Sequence, residues 1–144
     1  MARLPAFLAI VLSALVPLAP ADAAPASGSD AVTGMWINPH HSVAVQNQFC
    51  GNALCGHVVW ASADAKADAR DSGVASLIGT DLLQDYRPSG RGSWKGTVFV
   101  PDLGRRFSSE IDVLAADRIR ISGCILHGLI CKSQIWTRIG ALPQ

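Results

Sequence analysis

The side chains that could bind a metal or carry a proton include four histidines and four cysteines. His40 and His41 are adjacent and follow Asn38-Pro39, a dipeptide typical of turns. Two neighbouring histidines need at least one more ligand to hold a metal ion, and the sequence offers none at a recognisable spacing. We therefore interpret this pair as solvated turn residues and predict no metal site.

The other two histidines lie in different kinds of segment. His127 lies between Cys124 and Cys131, where an exposed polar residue is ordinary. His57 lies in an extended segment in phase with Val59, and this phase would direct both side chains to the interior of a sheet protein. A satisfied core histidine is the simpler interpretation, and His57 is also a candidate for lining a ligand cavity.

Several common motifs of catalysis and cofactor binding are absent from the sequence. There is no Gly-x-Ser-x-Gly motif, no phosphate-binding loop and no glycine-rich nucleotide fingerprint. Carboxylates cluster in and after residues 62–73, at a spacing that suits a polar face better than an acid–base pair. They are Asp64, Asp68, Asp71, Asp81 and Asp85. We therefore predict no catalytic residue, no cofactor and no enzymatic activity.

The four cysteines are Cys50, Cys55, Cys124 and Cys131. An even number of cysteines in a small exported domain predicts disulfides, and four cysteines leave three pairings open. We favour the local pairing, Cys50–Cys55 and Cys124–Cys131, because each pair flanks a short glycine-containing loop between extended segments. A four-cysteine zinc site is the alternative, although its spacings are looser than those of the usual zinc knuckles.

The chain starts with the pattern of an export signal. Arg3 precedes an apolar run from Leu4 to Leu18, and Ala21 and Ala23 form a small-x-small cleavage site. We predict that residues 1–23 are a signal peptide, that the protein is exported to the periplasm or beyond the cell, and that no membrane span remains after cleavage. An uncleaved anchor is the alternative, but a spanning helix needs about 20 apolar residues.

The remaining sequence predicts one domain. Residues 24–33 are small and polar and predict a flexible lead-in, and residues 34–140 predict a single β-barrel. The formal net charge is +1 and no cluster of Lys and Arg exceeds two residues. Nucleic acid is therefore not an expected partner.

From Gly34 onward, short extended segments alternate with turn signals about every 8–12 residues, which is typical of all-β proteins. We expect eight strands, at residues 34–37, 42–49, 56–61, 77–86, 94–100, 107–114, 118–122 and 132–139. Residues 62–73 predict one or two helical turns, or a surface loop. Sequential hairpins predict an antiparallel meander that closes into a barrel and so removes its edge strands, with an open sandwich as the alternative.

Each of the four tryptophans lies on a predicted strand, at Trp36, Trp60, Trp94 and Trp136. Most large aromatic residues in such a fold pack in the core or at a barrel end. The candidates for lining an interior cavity are Trp60, Trp94 and Tyr86, together with His57.

Several motifs together resemble a known family. They are Gly34-x-Trp36, Cys50-Gly-Asn-Ala-Leu-Cys55-Gly, Trp94-x-Gly96, Pro101-Asp102-x-Gly104-x-x-Phe107 and Gln134-x-Trp136-Thr-Arg138. Over nearly all of the chain from Gly34 to Ile139 they resemble the secreted bacterial proteins of domain-of-unknown-function family 2147. The resemblance implies a small exported barrel similar to lipocalins and carries no established reaction or ligand. Residues 62–73 depart from the family, because its usual Asp-x-x-Asn-Pro element is missing there.

A wider resemblance is to the lipocalins, which begin with Gly-x-Trp and carry an arginine on the last strand that packs over this tryptophan. Gly34, Trp36 and Arg138 match that pattern, and the resemblance implies that they close one end of the barrel. An arginine plane over an indole contributes roughly 0.5–2 kcal/mol. Gln134 shares a side of its strand with Trp136 and Arg138, so we expect it near the barrel end and not in a catalytic pocket.

The sequence thus favours two functions, neither of them enzymatic. An eight-stranded barrel holds one small ligand or is filled by its own side chains. The first hypothesis is a periplasmic binding module for a small, partly apolar molecule. The alternative is an envelope stress or interaction protein, or an enzyme inhibitor, that contacts a partner protein through its loops.

Overall fold

The computed structural model describes residue 28, residues 30–125 and residues 129–144. The predicted signal peptide and His127 lie outside the described residues. Eight antiparallel strands form a closed barrel in which each strand pairs with the next and the last pairs with the first, as predicted. The strands are β1 (Gly34–Ile37), β2 (Val43–Cys50), β3 (Ala53–Ala61), β4 (Asp81–Gly90), β5 (Ser93–Val100), β6 (Arg105–Ala115), β7 (Arg118–Ile125) and β8 (Ile130–Ile139).

Two short helical segments interrupt the meander. Helix α1 (Ala63–Asp71) joins β3 to β4, and a 3₁₀ turn at Pro101–Leu103 joins β5 to β6. Residues 62–73, for which a loop was also open from the sequence, contain this helix, and the Ser62 hydroxyl caps its first turn by accepting a hydrogen bond from the Ala65 amide at 3.2 Å. Within the described residues, neither segment has the length and apolar character needed to cross a membrane.

Strand β4 lies later in the chain than the sequence predicted. Leu77 belongs to a turn, in which the Thr80 amide donates to the Leu77 carbonyl at 3.1 Å and Gly79 has a φ of +85°. The strand starts after this turn and continues through Pro88 to Gly90. The hairpin turn then uses Gly92, whose φ of +72° suits glycine. The turns at Gly79 and Gly92 therefore place the start and the end of β4 later than the sequence predicted.

The connections divide the barrel into two ends. We call the end that carries the β1–β2, β3–β4, β5–β6 and β7–β8 connections the mouth, and the opposite end the closed end. Both predicted disulfides are present. Cys50–Cys55 holds the β2–β3 hairpin at the closed end, and Cys124–Cys131 joins two directly paired residues of β7 and β8 at the mouth.

The closed end is plugged by residues that precede the first strand. Val32 is fully buried, and its carbonyl accepts hydrogen bonds from Trp36 Nε1 at 3.0 Å and from Asn47 Nδ2 at 3.2 Å. The predicted flexible lead-in, residues 24–33, therefore needs correction at its C-terminal end. A single valine among small polar residues gave too weak a signal, but here it fills the space inside the strands.

Arg138 fastens this plug to the last strand. Its guanidinium lies 4.2 Å from the centroid of the Trp36 ring and donates to the carbonyls of Ala31 and Thr33 at 2.6 Å each, and to the Ala116 carbonyl at 2.7 Å. Gly34 makes room for it, since a Cβ at this position would lie 2.5 Å from Arg138 Nη1. The structure thus brings Gly34, Trp36 and Arg138 together at one barrel end.

Candidate ligand-binding cavity

A cavity of about 830 Å³ opens at the mouth. Its wall includes residues of β4, β5, β7 and β8, and its rim includes the β1–β2 turn, α1 and the 3₁₀ turn. Trp136 lies deepest among the β8 residues that line it, because its paired residue on β7, Ile119, is fully buried in the core. The half of the barrel next to the closed end is packed with side chains, and the half next to the mouth encloses the cavity.

Strand β8 supplies one wall of the cavity by simple alternation. Ile130, Lys132, Gln134 and Trp136 line the cavity, whereas Ile135 points outward and is 48% exposed. The Trp136 indole Nε1 donates to Gln134 Oε1 at 3.1 Å. The wall therefore changes from aromatic at its floor to amide and then to ammonium near the mouth.

The structure places Gln134 in the cavity wall and not at the barrel end where we expected it. Gln134 and Arg138 do share a face of β8, but they are four residues apart. Four residues of strand span about 13 Å, nearly half the height of such a barrel. Gln134 and Arg138 therefore lie on the same face of β8 but at different heights in the barrel.

The wall across the barrel from β8 is apolar. Leu82 at the start of β4 and Val98 on β5 line it, and Leu77 from the turn before β4 extends it. Phe107 on β6 adds apolar surface beside β5, and Ile121 on β7 adds apolar surface beside β8. Because β4 is four strands from β8 in a ring of eight, a bound molecule would meet hydrocarbon on one side and polar groups on the other.

The β1–β2 turn brings both histidines to the rim. Asn38 organises this turn, since its Oδ1 accepts from the amides of Ser42 at 2.8 Å and Val43 at 3.1 Å, and its Nδ2 donates to the Ser42 hydroxyl at 2.9 Å. His40 and His41 are exposed, as predicted for turn residues, but they also line the mouth. Within the described part of the chain, no group of three or more His, Cys, Asp or Glu residues could hold a metal ion.

Helix α1 lies along the mouth and is held at both of its ends. The Ser62 amide donates to the Ser42 carbonyl of the β1–β2 turn at 2.8 Å, and the Ser72 hydroxyl donates to the Asp102 carbonyl of the 3₁₀ turn at 2.6 Å. Ala69 on this helix is fully buried. Asp64 and Asp68 on this helix, together with Asp102, bring three exposed carboxylates to the rim.

The four residues chosen from the sequence as cavity candidates do not line this cavity. On β3 the inward positions are Leu54, Gly56 and Val58, and His57 is a half-buried residue of the opposite phase. The β3–β4 pairing shifts register on both sides of Gly56. Trp60 is also half-buried and belongs neither to the buried core nor to the cavity lining. We expected Val59, and His57 with it, to point to the interior, and this expectation was wrong.

Tyr86 and Trp94 lie in the packed half, below the cavity. The Tyr86 ring lies against Gly96, where a Cβ would be 2.6 Å from two of its ring carbons. Burial raises the pKa of the Tyr86 phenol well above its ordinary value, and the Ser109 hydroxyl acts more weakly in the opposite direction. Tyr86 therefore stays neutral and has a packing role. Trp94 is 6% exposed and contacts Phe49, with ring centroids 5.8 Å apart.

Comparison with models of protein families identifies the family of this chain. The model of an uncharacterized protein conserved in bacteria, domain-of-unknown-function family 2147, matches residues 34–138. The chain belongs to this family. A search of curated proteins returns no match.

This member of domain-of-unknown-function family 2147 is also similar to a solved structure. Protein HP1028 from the human pathogen Helicobacter pylori, described as belonging to the lipocalin family, superposes with a TM-score of 0.58. The two are 12% identical over 76% of this chain and 83% of that one. At this identity the likeness shows the fold, a lipocalin-like barrel.

Proposed function

We propose that this protein is an exported, non-catalytic binding module that holds one small, partly apolar molecule in the cavity at its mouth. The observation that carries the proposal is the division of the barrel into a packed half and an open half. Ligand sites in proteins are typically clefts of about 300–1,000 Å³ with mainly apolar linings and a few polar groups. A cavity of about 830 Å³ with apolar residues on one wall and Gln134 and Lys132 on another matches that description.

Export is part of the proposal. It is supported by the leader pattern of residues 1–23 and by the two disulfides, which form and persist in oxidising compartments. We place the protein in the periplasm or outside the cell. Alkaline phosphatase fused after the full-length chain tests this placement, because it should be active only if the chain is exported.

Native mass spectrometry of the purified mature protein against panels of lipids and aromatic molecules tests binding. We expect one-to-one adducts with partly apolar molecules of fewer than about 30 non-hydrogen atoms. Val98→Phe enlarges a side chain of the cavity wall and should lower adduct formation at least tenfold. Ile135→Phe makes a similar enlargement on the outer face of β8 and should leave it unchanged. Equal adducts in both variants would contradict binding inside the barrel.

Tryptophan fluorescence provides an independent measurement of the same event. Trp136 lines the cavity, whereas Trp60 does not. Ligand addition should shift the emission of the wild-type protein and of Trp60→Phe, and the shift should disappear in Trp136→Phe. A shift that survives in Trp136→Phe and vanishes in Trp60→Phe would place the ligand elsewhere.

A second candidate function is an interaction module that contacts an envelope protein through its loops. Two leucines favour it, because Leu103 is 61% exposed and Leu129 is 84% exposed, and both lie in connections at the mouth. A partner retained by the wild-type protein should be lost with Leu103→Ser/Leu129→Ser. It should be kept by Leu114→Ser, whose leucine is 43% exposed and lies on β6 near the closed end.

A further inference from the structure

The polar wall of the cavity presents hydrogen-bond donors. Gln134 Oε1 is occupied by the Trp136 indole N–H at 3.1 Å, which leaves the Gln134 amide N–H groups directed to other partners. Lys132 lies two residues nearer the mouth on the same face of β8. Its ammonium has no ion-pair partner among the described residues, where the salt bridges join other groups. The residues that carry the amide donor and the positive charge therefore have Cα atoms about 7 Å apart along one strand.

The surroundings of these two donors leave space for an acceptor group. Lys132 pairs with Gly123 on β7, and both residues line the cavity, so no side chain stands beside the lysine on that neighbouring strand. Gln134 pairs with Ile121, which is apolar and offers no competing acceptor. Ligand oxygens that reach this wall would meet donors on β8 and hydrocarbon beside them.

The rim carries charge of the opposite sign. Asp64 and Asp68 on α1 and Asp102 on the 3₁₀ turn line the mouth, as do His40 and His41 on the β1–β2 turn, whose Ser42 carbonyl accepts from the Ser62 amide at the start of α1. All five of these side chains are exposed, so water and salt screen their fields. Their screened repulsion acts more strongly on a dianion than on a monoanion, so the rim favours a carboxylate over a phosphate dianion.

We infer that the cavity takes a carboxylate-bearing amphiphile, whose carboxylate lies on Lys132 and Gln134 and whose apolar body lies against Leu77, Leu82 and Val98. The inference rests on the proposed binding function and adds the ligand class. A carboxylate accepts from an ammonium and an amide together, and charge-assisted hydrogen bonds of this kind are about twice as strong as neutral ones. The apolar wall four strands away supplies the remaining affinity.

Three amphiphiles with the same twelve-carbon chain and different head groups test the ligand class: dodecanoate, dodecanol and dodecylamine. Their affinities are measured by competition against a fluorescent fatty-acid probe and by direct calorimetry. We expect dodecanoate to bind at least tenfold more tightly than dodecanol, and dodecylamine to bind most weakly. Lys132→Met should lower the dodecanoate affinity about tenfold and leave dodecanol unchanged. Lys95→Met removes an exposed lysine of β5 outside the cavity and should change neither affinity.

The outcomes separate the ligand class from the binding function. Equal affinity for dodecanoate and dodecanol, or equal losses in Lys132→Met for both, would overturn the inference while the binding function stands. Tightest binding of dodecylamine would also overturn it, because the rim carboxylates would then decide selectivity. Binding of none of the three, to protein whose melting temperature shows that it is folded, would count against both.

Discussion

The two halves of this barrel are made by the same eight strands and differ in what lies between them. At the closed end, Trp36, Tyr86 and Leu54 are fully buried, and Trp36 Nε1 donates to the Val32 carbonyl. At the mouth, the inward residues include Gly123 and Lys132, which leave a cavity. A closed barrel can thus have a filled or an open interior. The size and polarity of the inward side chains at each height of the barrel determine which of the two occurs.

The difference also separates stability from binding. The packed half contains the buried aromatic residues Trp36, Tyr86 and Trp94, and burial of such side chains contributes strongly to hydrophobic stabilisation. The exposed side chains at the rim change the folding free energy little when substituted. The closed end therefore contributes more to stability than these rim side chains do.

The largest expected effect is at Trp36. Trp36→Ala removes a fully buried indole from the closed end and should cost about 3–5 kcal/mol of unfolding free energy, measured by denaturant titration. Leu103→Ala at the mouth removes an exposed side chain and should change it by less than about 0.5 kcal/mol. Similar losses in the two variants would break the division between a stabilising end and a recognition end.

Two glycines test the same division with one identical change. In Gly96→Ala the new Cβ would lie 2.6 Å from the Tyr86 ring and 2.8 Å from the Gln84 carbonyl, so we expect a loss of about 1–3 kcal/mol. In Gly123→Ala the nearest atom is Val98 Cγ1 at 3.7 Å, an ordinary contact, and the loss should be smaller. Thermal melts of both variants provide the measurement, and a reversed order would contradict the packing described for the two halves.

Arg138→Ala should cost about 1–3 kcal/mol, because it leaves three carbonyls and the Trp36 ring without their partner. Arg138→Lys should recover little, since a single ammonium cannot reproduce the planar guanidinium fork. Arg118→Ala is the matched control, because its ion pair with Asp117 is exposed and 3.7 Å long. An unchanged melting temperature in Arg138→Ala would show that the plug does not depend on this residue.

The buried phenol of Tyr86 predicts how stability changes at alkaline pH. Tyr86 is the single tyrosine of the chain, so its titration can be followed alone. Its pKa is raised by burial, so above about pH 10 the unfolded state releases a proton that the folded state retains. Stability should therefore fall as pH rises past 10, by up to about 1.4 kcal/mol per pH unit. Absorbance of tyrosinate at 295 nm should appear together with unfolding, whereas a transition near pH 10 in folded protein would mean that water reaches the phenol.

Local sequence patterns predicted the barrel well, because hairpins and alternation are local properties. The short glycine-containing loop favoured the Cys50–Cys55 pairing, and the resemblance to lipocalins implied that Gly34, Trp36 and Arg138 close one barrel end. Strand phase failed where the pairing shifts register. Val59, from which the phase of β3 was taken, is skipped where the β2–β3 register shifts between Val58 and Trp60, and Asp85, with a φ of +54°, lies where the β4–β5 register shifts beside Tyr86.

The candidate cavity was harder to predict than the fold. Which of two tryptophans on the same barrel lies at a cavity floor depends on the level at which each strand crosses its neighbours, and this follows from the register of all eight strands. Trp136 and Trp94 look alike in the sequence, yet one lines the cavity and the other packs on Phe49. The rim histidines were missed for the same reason, because a turn carries no mark of what lies beneath it.

The bonds of Arg138 set the order in which the molecule can be completed. Two of them reach carbonyls 105 and 107 residues earlier in the chain. Because a chain is synthesised from its N-terminus, Ala31 and Thr33 exist long before Arg138 does. The closed end therefore cannot be completed until almost the whole chain is present. Final closure is a late event, and it joins the most distant parts of the sequence.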